Sequence, residues 1–379
     1  MEKVKPVGGK IWTESFKILT ILAVIAGVLL IKRFVFGIGA VTNLSHGYPW
    51  GLWIVYDVVV GTAIACGGYV MALLVYVFNR GQYHPLVRSA LLASVFGYTL
   101  AGFSIFIDIG RYWNMLNVLS PWYANANSIM FEVAFCVATY ILVMWVEFSP
   151  AFFEAAGKEY RAKWINRVMF FFVALGVLLP TMHQSSLGTL MIIAGHKLDA
   201  LWQTPWLPLL FLITAIGMGF AIVIFESLYS SLIMRRPYET SMLSRIARGI
   251  PWLLAIFFVI RFTDLLWRDT IMSVFQFNLK GLMFWIENIF FVHAIYVMSV
   301  KSRREERGAL FAAAVSMIMG GAIYRFNTFL VGFNPGEGWH YFPSVSEIMI
   351  TVGIVAFELM AYNIFVKRFP VLPEVKHAN

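Results

Sequence analysis

The 379-residue sequence predicts an all-α integral membrane protein of about ten transmembrane helices. Three observations lead there. Charged residues make up only 13% of the chain and hydrophobic residues 60%, against about 25% and 45–50% in soluble domains. Apolar runs of about 20 residues, the length that crosses a bilayer as a helix, recur from one end of the chain to the other. Lysine and arginine collect in every second connection between those runs, as they do on the cytoplasmic side of a membrane.

The first run, 18–36, is long enough to remain as a helix. The segment before it, MEKVKPVGGKIWTESFK, lacks the compact basic, apolar and small-residue regions of a signal peptide, so no cleavage is expected. Further helices are expected over 52–78, 88–111, 127–149, 168–190, 207–232, 250–267, 278–299, 309–331 and 345–366. With the N-terminus in the cytoplasm, the inner segments hold 21 of the 29 lysines and arginines. They are Lys3, Lys5, Lys10, Lys17, Arg80, Arg88, Lys158, Arg161, Lys163, Arg167, Arg235, Arg236, Arg245, Arg248, Lys301, Arg303, Arg304, Arg307, Lys367, Arg368 and Lys376. Outer ends and loops keep Lys32, Arg33, Arg111, Lys197, Arg268 and Lys280, while Arg261 and Arg325 fall within spans. This asymmetry puts both termini in the cytoplasm. It also explains the net charge of +9 as an orientation signal, with no nucleic-acid partner. The outer connections GAVTNLSHGYPWG, RYWNMLNVLSPWYANAN and VGFNPGEGWHYFPSVS are long and aromatic. They suit either an interfacial aromatic belt or a docking surface for an extracytoplasmic partner.

Cys66 and Cys136 sit inside apolar runs and fit small packing residues. Two thiols are too few for an iron–sulfur cluster, which takes about four. Of seven histidines, His183 and His293 lie well inside spans. Their distances from the outer helix ends differ by about 12 Å in depth, which one haem iron does not bridge between upright helices. There is no HxxH and no paired Glu/His cluster. The expectation is a chain with no haem, no iron–sulfur cluster and no metal.

Ionisable groups at bilayer depth cost about 2.5–3.5 kcal/mol each on insertion scales, yet this chain has many. Asp57, Asp108, Glu132, His183, Arg261, Asp264, Glu287 and Arg325 fall in the outer half, Tyr98 near the middle, and Glu147, Glu226, His293 and Glu358 at mid-depth or below. Asp108 with Arg111, and Arg261 with Asp264, have the i, i+3 spacing of pairs on one helix face. Glu147 and Glu226 suit caps or partners for inner-face basic residues. Glu132 and His183 have no such partner in their own helices. In TMHQSSLG, residues 181–188, His183, Gln184 and Ser185 supply donors and acceptors where an apolar run closes. Histidine titrates near neutrality, and a carboxyl in a low-dielectric site also passes protons. The combination fits a quinone, whose two oxygens gain two electrons and two protons while an isoprenoid tail stays in lipid.

With these residues in view, the chain resembles the NrfD/polysulfide-reductase membrane-subunit family, and within it the membrane subunits of hydrogenase-2-type nickel–iron hydrogenases. The resemblance is carried by YPWGLWIVYD (48–57), VFNRGQYHPLVRSALLASVFGY (77–98), DIGRYWN (108–114), LLPTMHQSSLGTLM (178–191), RFTDLLWRD (261–269) and FNPGEGWHYFP (333–343), and covers nearly the whole chain. It implies a single polytopic domain over 1–379, with a four-helix bundle over 52–190 that binds quinone, a second over 207–331, and flanking helices 18–36 and 345–366. It implies menaquinone or ubiquinone as substrate near the periplasmic face of a bacterial inner membrane. Electrons would come from a periplasmic, ferredoxin-like iron–sulfur subunit fed by the hydrogenase small and large subunits. The residues matching a proton-transfer role are Tyr98, Glu132, His183 and Glu226. Asp57 matches an acidic position near the quinone, beside His183, Glu132, Gln184 and Ser185. Two other readings use the same buried charges: an ion or small-molecule transporter with paired broken helices, for which Gly67-Gly68 and Gly320-Gly321 are the candidates, and a passive anchor.

Overall fold

The structure, a computed structural model, describes residues 4–234 and 236–373. Among them are ten helices long and apolar enough to cross a membrane. They are α1 (Glu14–Phe36), α2 (Trp53–Val77), α3 (Gly81–Asp108), α4 (Ile129–Ala155), α5 (Tyr160–Ile193), α6 (Leu207–Ile233), α7 (Thr240–Trp267), α8 (Leu279–Met298), α9 (Arg307–Val331) and α10 (Val345–Arg368). The protein is an all-α, multi-pass integral membrane protein. Of the basic residues expected on the inner side, Lys3, Arg235 and Lys376 lie outside the described residues.

The expected spans are all present. The differences lie at polar ends, where helix continues beyond the apolar run: α5 begins eight residues before 168 and α7 ten before 250. Polar side chains stop a hydropathy run but not the backbone hydrogen bonds of a helix. α2 is the irregular one. It opens with a π-helical stretch, Trp53–Val60, and closes with another, Leu73–Val77. Between them the helix breaks at Cys66, whose N–H turns back to the Ala63 carbonyl. α9 likewise ends in a π-helical turn, Asn327–Val331. Such segments leave the usual i→i−4 register and re-aim side chains, often at functional sites.

Cα proximity divides the chain into two compact units. The first holds residues 4–62, 91–176 and 335–373. In it α1 packs along α10, with Gly353 against Ala26 and the Leu22 carbonyl. Small residues let membrane helices approach this closely. Buried Arg33 ties the end of α1 to the end of α3 by donating to the carbonyls of Ile107 (2.7 Å) and Ile109 (2.6 Å). Val4–Lys5 pairs with Leu372–Pro373 in a two-residue antiparallel ladder. α10 starts with a capping box: Ser344 Oγ accepts from the Glu347 N–H, and Glu347 Oε2 accepts from the Ser344 N–H. The buried Glu347 carboxylate also accepts from the Asn43 N–H (3.0 Å) and the Tyr341 hydroxyl (2.7 Å). It thereby ties the 41–52 and 335–344 connections together. Burial and the hydrogen bond to that carboxylate push the Tyr341 phenol above its ordinary pKa.

The second unit holds residues 63–90 and 177–334. α6 packs against α7, α9 and the second half of α2. Gly217 faces Met317, Gly321 faces Met218, and Gly219 lies on the Cys66 carbonyl and Val70. Cys66 here and Cys136 in the first unit are both buried and in no disulfide, as expected of packing residues.

Candidate functional site

In the first unit, Asp57 stands on the π-helical part of α2 and is 7% exposed. Its Oδ2 accepts from Ser104 Oγ on α3 (3.2 Å) and Thr351 Oγ1 on α10 (3.3 Å). Three helices thus hold one carboxyl. Tyr98 on α3 is fully buried and meets Tyr140 of α4 edge to face, with ring centroids 4.6 Å apart. Glu132 lies in the first turn of α4, one turn before Cys136. Glu147 presses on Gly176, and its Oε1 is buried with no hydrogen-bond partner. Asp108 Oδ1 is likewise buried without one, and the cation acting on Asp108 is Arg33, not the expected Arg111. Arg33 belongs to another helix, which spacing within α3 does not reveal. A groove of about 780 Å³ between α4 and the first half of α5 is lined by apolar side chains such as Trp145, Trp164 and Phe171. It contains none of the expected site residues.

In the second unit, Pro180 sits inside α5, and the polar cluster follows within one turn. His183 and Gln184 are buried. Gln184 Nε2 lies 3.2 Å from His183 Nε2, and Gln184 Oε1 accepts from Arg325 Nη2 of α9 (3.2 Å). Arg325 also donates to Thr214 Oγ1 and the Phe211 carbonyl of α6, each at 3.0 Å. Ser185 bonds back to the Met182 carbonyl of its own helix (2.8 Å), which leaves its hydroxyl oxygen as acceptor. Thr181 bonds Tyr69 of α2 at 2.8 Å. Glu226 stands about two turns before the end of α6. The structure therefore joins His183 to Gln184, and joins both to Arg325, to which the sequence reading gave no role. It places Asp57 with Ser104 and Thr351, which no pattern singled out. Hydroxyls on separate helices leave no periodic signal.

A second buried network surrounds Glu287 of α8. Arg261 Nη2 lies 2.5 Å from its Oε1, Asn327 Nδ2 donates to its Oε2 at 2.6 Å, and Trp202 Nε1 points at both oxygens. The Arg261 guanidinium also lies over the Phe284 and Tyr324 rings. The expected Arg261–Asp264 pair does not form. Asp264 pairs with Arg268 at 2.7 Å, because i, i+4 keeps a long arginine on the exposed side while Arg261 turns inward. Of the glycine pairs weighed for broken helices, Gly67 adjoins the break in α2, whereas Gly320 and Gly321 lie in unbroken helix against Phe291 and Met218.

Among the described residues, no group of three or more His, Cys, Asp or Glu could hold a metal ion. Two axial histidines for a haem do not fit either. His183 Nε2 is engaged by Gln184, and His293, on the exposed side of α8, bonds Ser316 Oγ through Nδ1 at 2.7 Å.

A family model described as polysulphide reductase, NrfD, matches residues 40–334. The chain is 48% identical to a protein of Escherichia coli (strain K12) named probable Ni/Fe-hydrogenase 2 b-type cytochrome subunit, over 98% of this chain and 96% of that one. It is 25% identical to the menaquinone reductase integral membrane subunit of Nitratidesulfovibrio vulgaris, over 90% and 88%. It is 22% identical to the Hdr-like menaquinol oxidoreductase integral membrane subunit of Archaeoglobus fulgidus, over 96% of each. The words "b-type cytochrome" in the first of these names imply a haem in that protein, which His183 and His293 of this chain do not suit.

Proposed function

The chain belongs to the polysulphide reductase NrfD family, and from that premise we propose that it is the quinone-reactive membrane subunit of a nickel–iron hydrogenase in a bacterial inner membrane. Its relative at 48% identity is named a Ni/Fe-hydrogenase 2 subunit, and that likeness runs over 98% of this chain. This is the observation that carries the proposal. Two more distant relatives are named for menaquinone or menaquinol. Hydrogen is split in partner subunits. Electrons pass through a ferredoxin-like iron–sulfur subunit docked on the aromatic outer connections, and reach menaquinone or ubiquinone.

The chain's own residues bind the quinone and manage protons. His183, with Gln184 beside it, holds a quinone oxygen by donating to it, and the Ser185 oxygen accepts from the hydroxyl of the reduced ring. Asp57, between two hydroxyls, and Glu132 supply protons as the ring is reduced. Tyr98 and Glu226 lie on the route by which those protons are replaced. Drawn from the cytoplasm, each charge moves against about 2.3 kcal/mol per 100 mV of membrane potential.

Glu132→Gln and His183→Ala, made separately in the intact complex, test the assignment. Hydrogen-dependent quinone reduction is expected to fall at least tenfold while reduction of an artificial dye by the hydrogenase subunits persists. Unchanged quinone turnover in both variants would refute it.

A further inference from the structure

We infer that Arg325, acting through Gln184, fixes His183 as a neutral imidazole with its proton on Nδ1, so that in the resting protein His183 is a hydrogen-bond donor and not a proton acceptor. The use of that donor toward quinone rests on the proposed function; the tautomer rests on geometry alone.

Arg325 is fully buried, and its Nη2 lies 3.2 Å from Gln184 Oε1. A guanidinium has donors and no acceptor. The glutamine atom facing it is therefore the oxygen, and the usual ambiguity between the two ends of an amide is removed. The Phe211 carbonyl and Thr214 hydroxyl hold the guanidinium in this orientation from α6, each at 3.0 Å. The other end of the amide, an NH2 that only donates, then meets His183 Nε2 at 3.2 Å. That nitrogen must offer its lone pair, which leaves the ring proton on Nδ1. A second proton at Nε2, needed for an imidazolium, would point into an amide N–H with the Arg325 charge behind it.

The consequence is a division of labour. A ring whose Nε2 is committed cannot collect a proton on one side and release one on the other. It holds what lies at Nδ1 by donating to it. The carbonyl of an oxidised quinone only accepts and suits this donor, whereas a quinol hydroxyl also brings a donor of its own. Proton delivery falls to carboxyls such as Asp57 and Glu132, and Arg325 is a positioning residue.

The test uses the full chain in its complex, in liposomes, with histidine ring 15N and 13C labels read by solid-state NMR. The His183 signals are assigned by their loss in His183→Gln. The wild type should show a neutral ring protonated at Nδ1. Gln184→Glu, nearly isosteric, places a carboxylate that accepts from both neighbours, and the ring should then carry a proton on Nε2. Arg325→Lys keeps a donor for the Gln184 oxygen and should keep the wild-type signal. Arg325→Met lets the amide turn, and should give a mixture of tautomers with the KM for quinone raised about twofold or more, as a reduced binding-competent fraction requires. A wild-type ring protonated at Nε2, or the same ring state in Gln184→Glu, would overturn the inference. Ring states as expected with quinone KM unmoved in Arg325→Met would instead remove His183 from the quinone and leave the tautomer standing.

Discussion

Glu287 shows how charge is tolerated at bilayer depth in this chain. It is fully buried, and its two oxygens meet a guanidinium, an amide and an indole N–H. Breaking a buried pair by removing one partner costs about 3–5 kcal/mol, because the other charge is left without compensation. Glu287→Leu should therefore lower the thermal midpoint of the purified protein steeply, and the double variant Arg261→Met with Glu287→Leu should regain most of the loss. A thermal shift series decides it, and additive losses would contradict the pairing. The sequence flagged Arg261 and Glu287 as costly residues but paired Arg261 with Asp264, because i, i+3 spacing only sees one helix. The true partner lies 26 residues away on α8. Asp57 was legible for the same reason of cost. Ser104 and Thr351 were not, since a hydroxyl in a membrane helix is cheap and common.

The ten helices were legible in the sequence because their apolar length is set by the bilayer, and because basic residues mark alternate connections. Their irregularities were not. Nothing in WIVYDVVV announces the π-helical turns of α2, or that Asn327 begins such a turn in α9. Those depend on how neighbouring helices compete for side-chain space. The contact of α1 with α10 is a clearer case, because one glycine permits it. A side chain at Gly353 would collide with Ala26 and the Leu22 carbonyl. Gly353→Leu should separate the two helices and cost about 1–3 kcal/mol, read as a lower midpoint of unfolding in detergent and faster proteolysis of the 4–13 segment. Gly27→Leu, at a position where an added Cβ meets nothing within 4 Å, is the control expected to leave both unchanged. Equal effects at the two positions would show that the α1–α10 contact does not depend on Gly353.

At the scale of the whole molecule, membership of the NrfD family and ten membrane helices among the described residues describe a scaffold, and buried polar groups tie its helices together. They are held by hydrogen bonds and ion pairs, with no cluster of metal ligands among the described residues. The sequence could place these groups at depths but not choose their partners. That is why His183 was legible as a candidate and its link through Gln184 to Arg325 was not. The most direct test of quinone binding is photo-crosslinking of the intact complex with a short-tailed menaquinone carrying a photoreactive group, followed by peptide mapping. Label should appear in the Trp53–Val60 segment or at 181–187, and excess unlabelled menaquinone should suppress it. Label confined to other segments, or label that menaquinone does not displace, would contradict a quinone site built from these residues.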